Sequence, residues 1–177
     1  MGAIKPLNLL DLSFVLMETR QTPMHVAGLQ TFVPPPDAPR DFAKRVYEYL
    51  RSFPVTAPPF NYRLRGVGLA HPMPSFEEVA QVDLDYHLRH SALPYPGGER
   101  ELGVLVSRLH SNPMDMDRPL WEIHLIEGLQ GGRIALYGQS SGSRRRRAPN
   151  RVFCSECAGT LKLTQNASQE KQESQGD

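Results

Sequence analysis

The sequence predicts an α/β domain followed by an unpatterned tail, and three observations carry that reading. Two segments, Asp41–Phe53 and Glu99–Ser111, have helical periodicity. Two alternating runs flank Gln130-Gly131-Gly132 as a β-hairpin would, and the composition breaks near Gly138. At 177 residues the chain is long enough for one domain with a true core and too short for two large ones. Hydrophobic residues at 40% and charged residues at 22% are globular values. The 16 prolines favour turns and extended segments over a helical bundle.

In chain order, Asp11 ahead of Phe14–Glu18 suits a short N-capped helix. Met24–Val33 reads as a strand ended by Pro34-Pro35-Pro36, with Gly28 marking a bulge or a close backbone approach. The Asp41–Phe53 helix places Phe42, Val46, Tyr49 and Leu50 on one face and ends at Pro54. A strand is expected near Asn61–Val67, inside a turn-rich stretch. Asp83–His90 alternates as a strand or extended segment does, and Tyr95-Pro96-Gly97-Gly98 is a turn. The second helix, Glu99–Ser111, aligns Leu102, Leu105, Val106 and Leu109. Trp121–Glu127 and Arg133–Tyr137 then form the hairpin strands.

Beyond Tyr137 the pattern dissolves. Residues 1–137 carry a net charge of −2 and residues 138–177 a net +3, together the +1 of the whole chain. All six histidines, Trp121 and every aromatic except Phe153 precede the break. The sequence therefore divides into a folded unit at 1–137 and a low-complexity tail at 138–177, expected to be disordered because it cannot bury enough apolar surface.

Several function classes recede on the same grounds. The near-neutral charge offers no global attraction to nucleic acid. The basic run Arg144–Arg147 has no interleaved aromatics and no binding module around it, so it reads as a solvated charge run. No apolar run approaches the ~18–20 residues of a membrane span. Asn8 and Asp11 interrupt the apolar stretch Leu7–Met17, against a signal peptide, and Pro6 stands against myristoylation. The expected location is cytoplasmic, with peripheral contact to a membrane or lipid droplet as a further expectation. Cys154 and Cys157 are half a zinc knuckle, His87 and His90 have no third ligand at usable spacing, and no metal is expected. Asn166-Ala167-Ser168 is a glycosylation sequon with no secretory route. His25, His87, His90, His110 and His124 are each a conceivable base, and each reads more simply as a satisfied polar residue. Asp115, Asp117 and Arg118 are expected to make a surface turn with local ion pairs.

Four phrases in register carry a resemblance. They are Pro23-Met24-His25-Val26, Asp85-Tyr86-His87-Leu88-Arg89-His90-Ser91-Ala92-Leu93-Pro94, Leu105-Val106-Ser107-Arg108-Leu109-His110-Ser111, and the long run from Met114 to Leu129 containing Asp117-Arg118-Pro119-Leu120-Trp121-Glu122. From about residue 5 to 137 the chain resembles the N-terminal region of the bifunctional wax ester synthase/acyl-CoA:diacylglycerol acyltransferases. The resemblance implies the first lobe of a chloramphenicol-acetyltransferase-like, CoA-dependent acyltransferase fold. It also implies long-chain acyl-CoA as a substrate rather than a cofactor, with diacylglycerol or a fatty alcohol as acceptor. Pro119, Leu120 and Trp121 would line the acyl-CoA region.

In that family the strand after the Gly-Gly turn runs into His-His-x-x-x-Asp-Gly, whose second histidine is the general base, a role suited to a near-neutral pKa. Here Ser141 and Gly142 occupy the two histidine positions, and Arg146 and Arg147 the Asp and Gly positions. A serine needs its own base, glycine has no side chain and arginine stays protonated. No catalytic residue is therefore expected from the motif. A shifted reading frame or altered exon after Tyr137 is the expected origin of the departure. A non-catalytic acyl-CoA-binding or partner-pairing module is the alternative expectation.

Overall fold

A computed structural model of the chain describes residues 4–19, 21–66 and 74–141. Two sheets carry the fold. The larger has four strands in the order β2 (His25–Phe32), β7 (Ile134–Ser141), β6 (Trp121–Glu127) and β5 (Leu88–Ala92). The β2–β7 and β7–β6 pairs are antiparallel, and β6–β5 is parallel. Parallel neighbours need a long crossover, and α4 (Glu99–Ser111) supplies it between β5 and β6. The smaller antiparallel sheet orders β1 (Ile4–Pro6), β4 (Ser75–Glu78) and β3 (Tyr62–Arg65).

Strand alternation explains how the four-stranded sheet is covered on both sides. Trp121, Ile123 and Leu125 of β6 join Ile134 and Leu136 of β7 against Phe42, Ala43, Val46 and Leu50 of α2 (Phe42–Arg51). The opposite face sends Ile126, Ala135 and Tyr137 against Leu102, Leu105 and Leu109 of α4. Val15 of α1 (Leu9–Met17) meets Leu64, Met114 and Leu120 in a third cluster, which joins the small sheet to the large one. A bridge between Arg63 and Pro119 reinforces that junction.

Most expected elements form, with instructive shifts. The first helix starts at Leu9, and its cap is Asn8, whose side chain accepts a hydrogen bond from the Asp11 backbone N–H. Asp11 is thus a first-turn acid instead of the cap. On α2 the inward aromatic is Tyr47, hydrogen-bonded to the Leu88 carbonyl and stacked on His90, whereas Tyr49 is exposed. Gly28 makes no bulge: the β2–β7 register is unbroken from His25↔Ser141 to Phe32↔Ile134, with Gly28 opposite Gly138. Asp83–His90 splits into a one-turn helix, α3 (Leu84–His87), capped by the Asp83 side chain, and then β5. Strands β1 and β4 have no counterpart among the expected elements.

The most consequential shift concerns β7. It runs to Ser141, four residues past the Tyr137 end expected from the sequence, and Ser140 and Ser141 are fully buried. Gly138–Ser141 are small or polar, with no hydrophobic signature, yet the β2 and β6 ladders on either side satisfy their backbone groups. The rest of the tail, including Gly142, Arg146, Arg147, both cysteines and the sequon, lies outside the described residues.

Candidate functional site

The resemblance would put the start of the family motif at the end of β7, so the surroundings of that end are taken as the candidate site. Ser141 stands opposite His25 in the ladder, and its backbone N–H donates to the Leu120 carbonyl at 3.1 Å. Residues at this end of the sheet are mostly polar and mostly buried, which is costly unless they are mutually satisfied.

On the α4 face they form one hydrogen-bonded chain. His25 donates from Nε2 to the His110 carbonyl at 2.7 Å, and the two imidazoles meet edge to face at 4.5 Å. His110 donates from Nδ1 to the Tyr137 hydroxyl at 3.0 Å, and that hydroxyl donates to Gln139 Oε1 at 2.9 Å. Gln139 then donates from Nε2 to Glu122 Oε2 at 3.2 Å, and His124 Nε2 lies 3.5 Å from the same oxygen. Each tautomer follows from its partner, because a carbonyl only accepts. The chain links β2, α4, β7 and β6.

Electrostatics follow burial. The Tyr137 hydroxyl is pushed up to about 12, first by burial and then by the Glu122 charge. Burial also works against the charged form of Glu122, but hydrogen bonds from His124 and Tyr86 outweigh it and hold the carboxyl below its usual range. Burial lowers His25, and the bond to the His110 carbonyl only partly opposes it. His25 is therefore biased neutral, with its Nδ1 lone pair buried and without a partner among the described residues.

The other face of the same strand end is built around Trp121. Its indole N–H donates to the Phe60 carbonyl at 2.9 Å, and its ring stacks on His87 at 4.4 Å. His87 donates from Nδ1 to the Trp121 carbonyl at 2.7 Å, which leaves Nε2 a buried acceptor without a partner among the described residues. Desolvation lowers the His87 pKa. Ser140, opposite Trp121 in the ladder, has a hydroxyl without a partner among the described residues.

The residues singled out from sequence are thus placed unevenly. Leu120 and Trp121 are both buried but point into different clusters, Leu120 toward α1 and the small sheet and Trp121 toward α2. Pro119 is held at the bridge to Arg63. The three make a packing junction whose backbone touches the end of β7. His25, His110 and His124 come together in one network, whereas His90 lies apart beside Tyr47 and Glu127. Asp115 and Arg118 pair at 3.3 Å, and Arg118 reaches further to Asp83 at 2.8 Å while covering the Tyr86 ring. Tyr137, Gln139 and Glu122 escaped the sequence reading. Glu122 and His124 sit on the alternate face of β6, and nothing local says that α4 will bury that face. Among the described residues no cluster of three or more His, Cys, Asp or Glu side chains is arranged to hold a metal. No helix among them is long and apolar enough to cross a membrane.

Comparison with known proteins places this geometry. Residues 7–143 match the wax ester synthase/diacylglycerol acyltransferase catalytic domain, so the match continues past the Tyr137 limit expected from the sequence. The chain is 41% identical over 135 residues to an O-acyltransferase of Acinetobacter baylyi, covering 76% of this chain and 28% of that one. It is 46% identical over 128 residues to a Mycobacterium tuberculosis protein provisionally named a diacylglycerol O-acyltransferase, covering 72% and 26%. Among solved structures, the wax ester synthase/diacylglycerol acyltransferase from Marinobacter aquaeolei VT8 superposes with a TM-score of 0.73 at 44% identity, covering 78% of this chain and 33% of that one. A condensation domain of the calcium-dependent antibiotic synthetase shares the fold at 17% identity and a TM-score of 0.56. The chain spans about a quarter to a third of the length of these relatives. With this coverage and identity, and with an α/β lobe of the CoA-dependent acyltransferase type, the chain belongs to the wax ester synthase/diacylglycerol acyltransferase family.

Proposed function

We propose that this chain is the N-terminal lobe of an O-acyltransferase acting on long-chain acyl-CoA and a lipid hydroxyl, and that it does not itself carry the general base. The reaction needs a hydroxyl oxygen to attack the thioester carbonyl, the C–S bond to break, and the hydroxyl proton to reach the departing thiolate. A base at the end of β7 would serve that transfer. The observation behind the proposal is that β7 continues to Ser141, a buried residue paired across the ladder with His25, where the resemblance would put the first residue of the family motif. Ser141 and Gly142 cannot accept that proton, and Arg146 and Arg147 cannot replace the acidic and glycine positions.

The acceptor would be diacylglycerol or a long-chain alcohol, with acyl-CoA as substrate and no further cofactor. Pro119, Leu120 and Trp121 would act by shaping the wall beside the strand end. A second reading, a non-catalytic acyl-CoA-binding or partner-pairing module at a lipid surface, draws support from the apolar side chains left exposed on α1.

Transfer of labelled palmitoyl from palmitoyl-CoA to hexadecanol and to diacylglycerol separates these readings. The purified chain is expected to give no turnover above a no-protein blank while binding palmitoyl-CoA saturably. Turnover would overturn the lack of a base. Absence of both turnover and binding would remove the acyl-CoA role.

A further inference from the structure

The far end of β7 holds a different kind of site. The β2–β7 ladder closes with Phe32 opposite Ile134, and one residue later β2 runs into Pro34-Pro35-Pro36. Proline has no N–H to extend a ladder, so the two chains part there. Between the proline segment and the hairpin end at Gly131-Gly132 lies a groove of about 440 Å³. That is the size range of small-molecule sites, roughly 300–1,000 Å³.

The groove is amphipathic. Its floor is the buried pair Phe42 and Ile134, and its wall is the proline run. Gly131 and Gly132 have open space where a Cβ would stand, so no described residue crowds the mouth at those two positions. Two guanidinium groups stand on the rim. Arg40 is exposed and makes no hydrogen bond or ion pair among the described residues, and Arg133 uses only its Nε, donating to the Gln130 carbonyl at 3.1 Å. The one acid of the lining, Glu127, has His90 Nε2 3.5 Å away.

We propose that this groove binds a single-chain fatty carboxylate, its alkyl chain on Phe42, Ile134 and the prolines and its head on Arg40 and Arg133. An apolar floor under cations selects an amphiphilic anion over a small inorganic one. The planar guanidinium fork matches the two carboxylate oxygens. A concave site of this volume takes one chain, where a bilayer would need a flat or protruding apolar face. The site is independent of the transferase reading: Ile134 and Ser141 are opposite ends of a strand, roughly 23 Å apart at strand rise.

Calorimetric titration of the full chain with decanoate, below its micelle-forming concentration, tests the proposal. Saturable binding is expected, with decanol and butyrate each at least about tenfold weaker because each lacks one half of the recognition. Arg40→Ala with Arg133→Ala is expected to weaken decanoate about tenfold, and the paired lysine substitutions to retain part of the affinity. Palmitoyl-CoA is expected to leave decanoate affinity unchanged. An unchanged melting curve for the double variant ties the loss to the site; if that variant unfolds, Arg40→Ala alone carries the comparison, since Arg40 makes no hydrogen bond or ion pair among the described residues. No saturable decanoate binding, equal affinity in the arginine variant, preference for decyl phosphate, or competition with palmitoyl-CoA would each overturn the assignment.

Discussion

Tyr137 shows most clearly how single residues hold this lobe. Its ring packs in the core beneath α4, while its hydroxyl accepts from His110 and donates to Gln139. Tyr137→Phe keeps the ring but leaves the buried Gln139 amide oxygen unpaired. Removing one partner from such a pair costs about 1–3 kcal/mol, more than an average hydrogen bond contributes. Urea denaturation is expected to show that loss, and an unchanged midpoint would mean that the network is already open to water. His25 and His87 make a second prediction. Both are lowered by burial from an unfolded value of 6.5. Between the lowered folded value and 6.5 the unfolded chain therefore binds more protons. The stability this confers is complete above pH 6.5 and is lost as pH falls below it toward the folded values. Melting temperatures from pH 7.5 down to 5.0 should fall through that window, and His87→Phe should flatten the fall.

Among the elements, the connection from β5 to α4 depends on one backbone position. Gly97 adopts φ +70°, and a Cβ there would stand 1.9 Å from the Gly128 carbonyl oxygen. The contact is that close because Gln130 N–H donates to the Gly97 carbonyl at 2.7 Å, drawing the loop onto the hairpin end. Gly97→Ala must pay for the left-handed backbone and for displacing a main-chain oxygen, together ~2–4 kcal/mol. Thermal unfolding of that variant measures the cost; wild-type stability would mean that the loop does not dock on the hairpin. Legibility in the sequence varies sharply between elements. The bounds of α4 were readable because its apolar residues keep a clean 3.6-residue period between Gly98 and Asn112. The end of β7 was not, because Gly138-Gln139-Ser140-Ser141 has no apolar alternation and is a strand only through ladders formed with β2 and β6. Short β1 and β4, of 3 and 4 residues, are likewise set by pairing and not by pattern.

At the scale of the whole molecule, apolar side chains bury the middle of the four-stranded sheet on both faces, whereas most of those on α1 stay exposed. Only Val15 of that helix is buried, while Leu9, Leu10, Leu16 and Met17 are 85%, 51%, 72% and 61% exposed. These four project on one side, and Ser13, placed among them, donates its hydroxyl hydrogen to the Leu10 carbonyl. An apolar face of this kind promotes association. Sedimentation of the isolated chain is expected to show concentration-dependent self-association, relieved by Leu9→Lys with Leu16→Lys. Those substitutions touch no buried group and should change stability by about 0.5 kcal/mol or less. A monomer at all concentrations would show that the face is covered.

By itself, the sequence determined the fold class, the two long helices, the central hairpin and the family, because periodic burial and four phrases in register are properties of the linear chain. It also determined which side chains occupy the positions after Tyr137, where the resemblance implies histidines. Only the tertiary structure decided that β7 continues to Ser141, that His25, His110, Tyr137, Gln139 and Glu122 form one hydrogen-bonded chain, and that Leu120 and Trp121 face different cores. The physical reason is common to all three. Each depends on which strand lies beside β7 and which helix covers each face of the sheet, and those neighbours are distant in sequence.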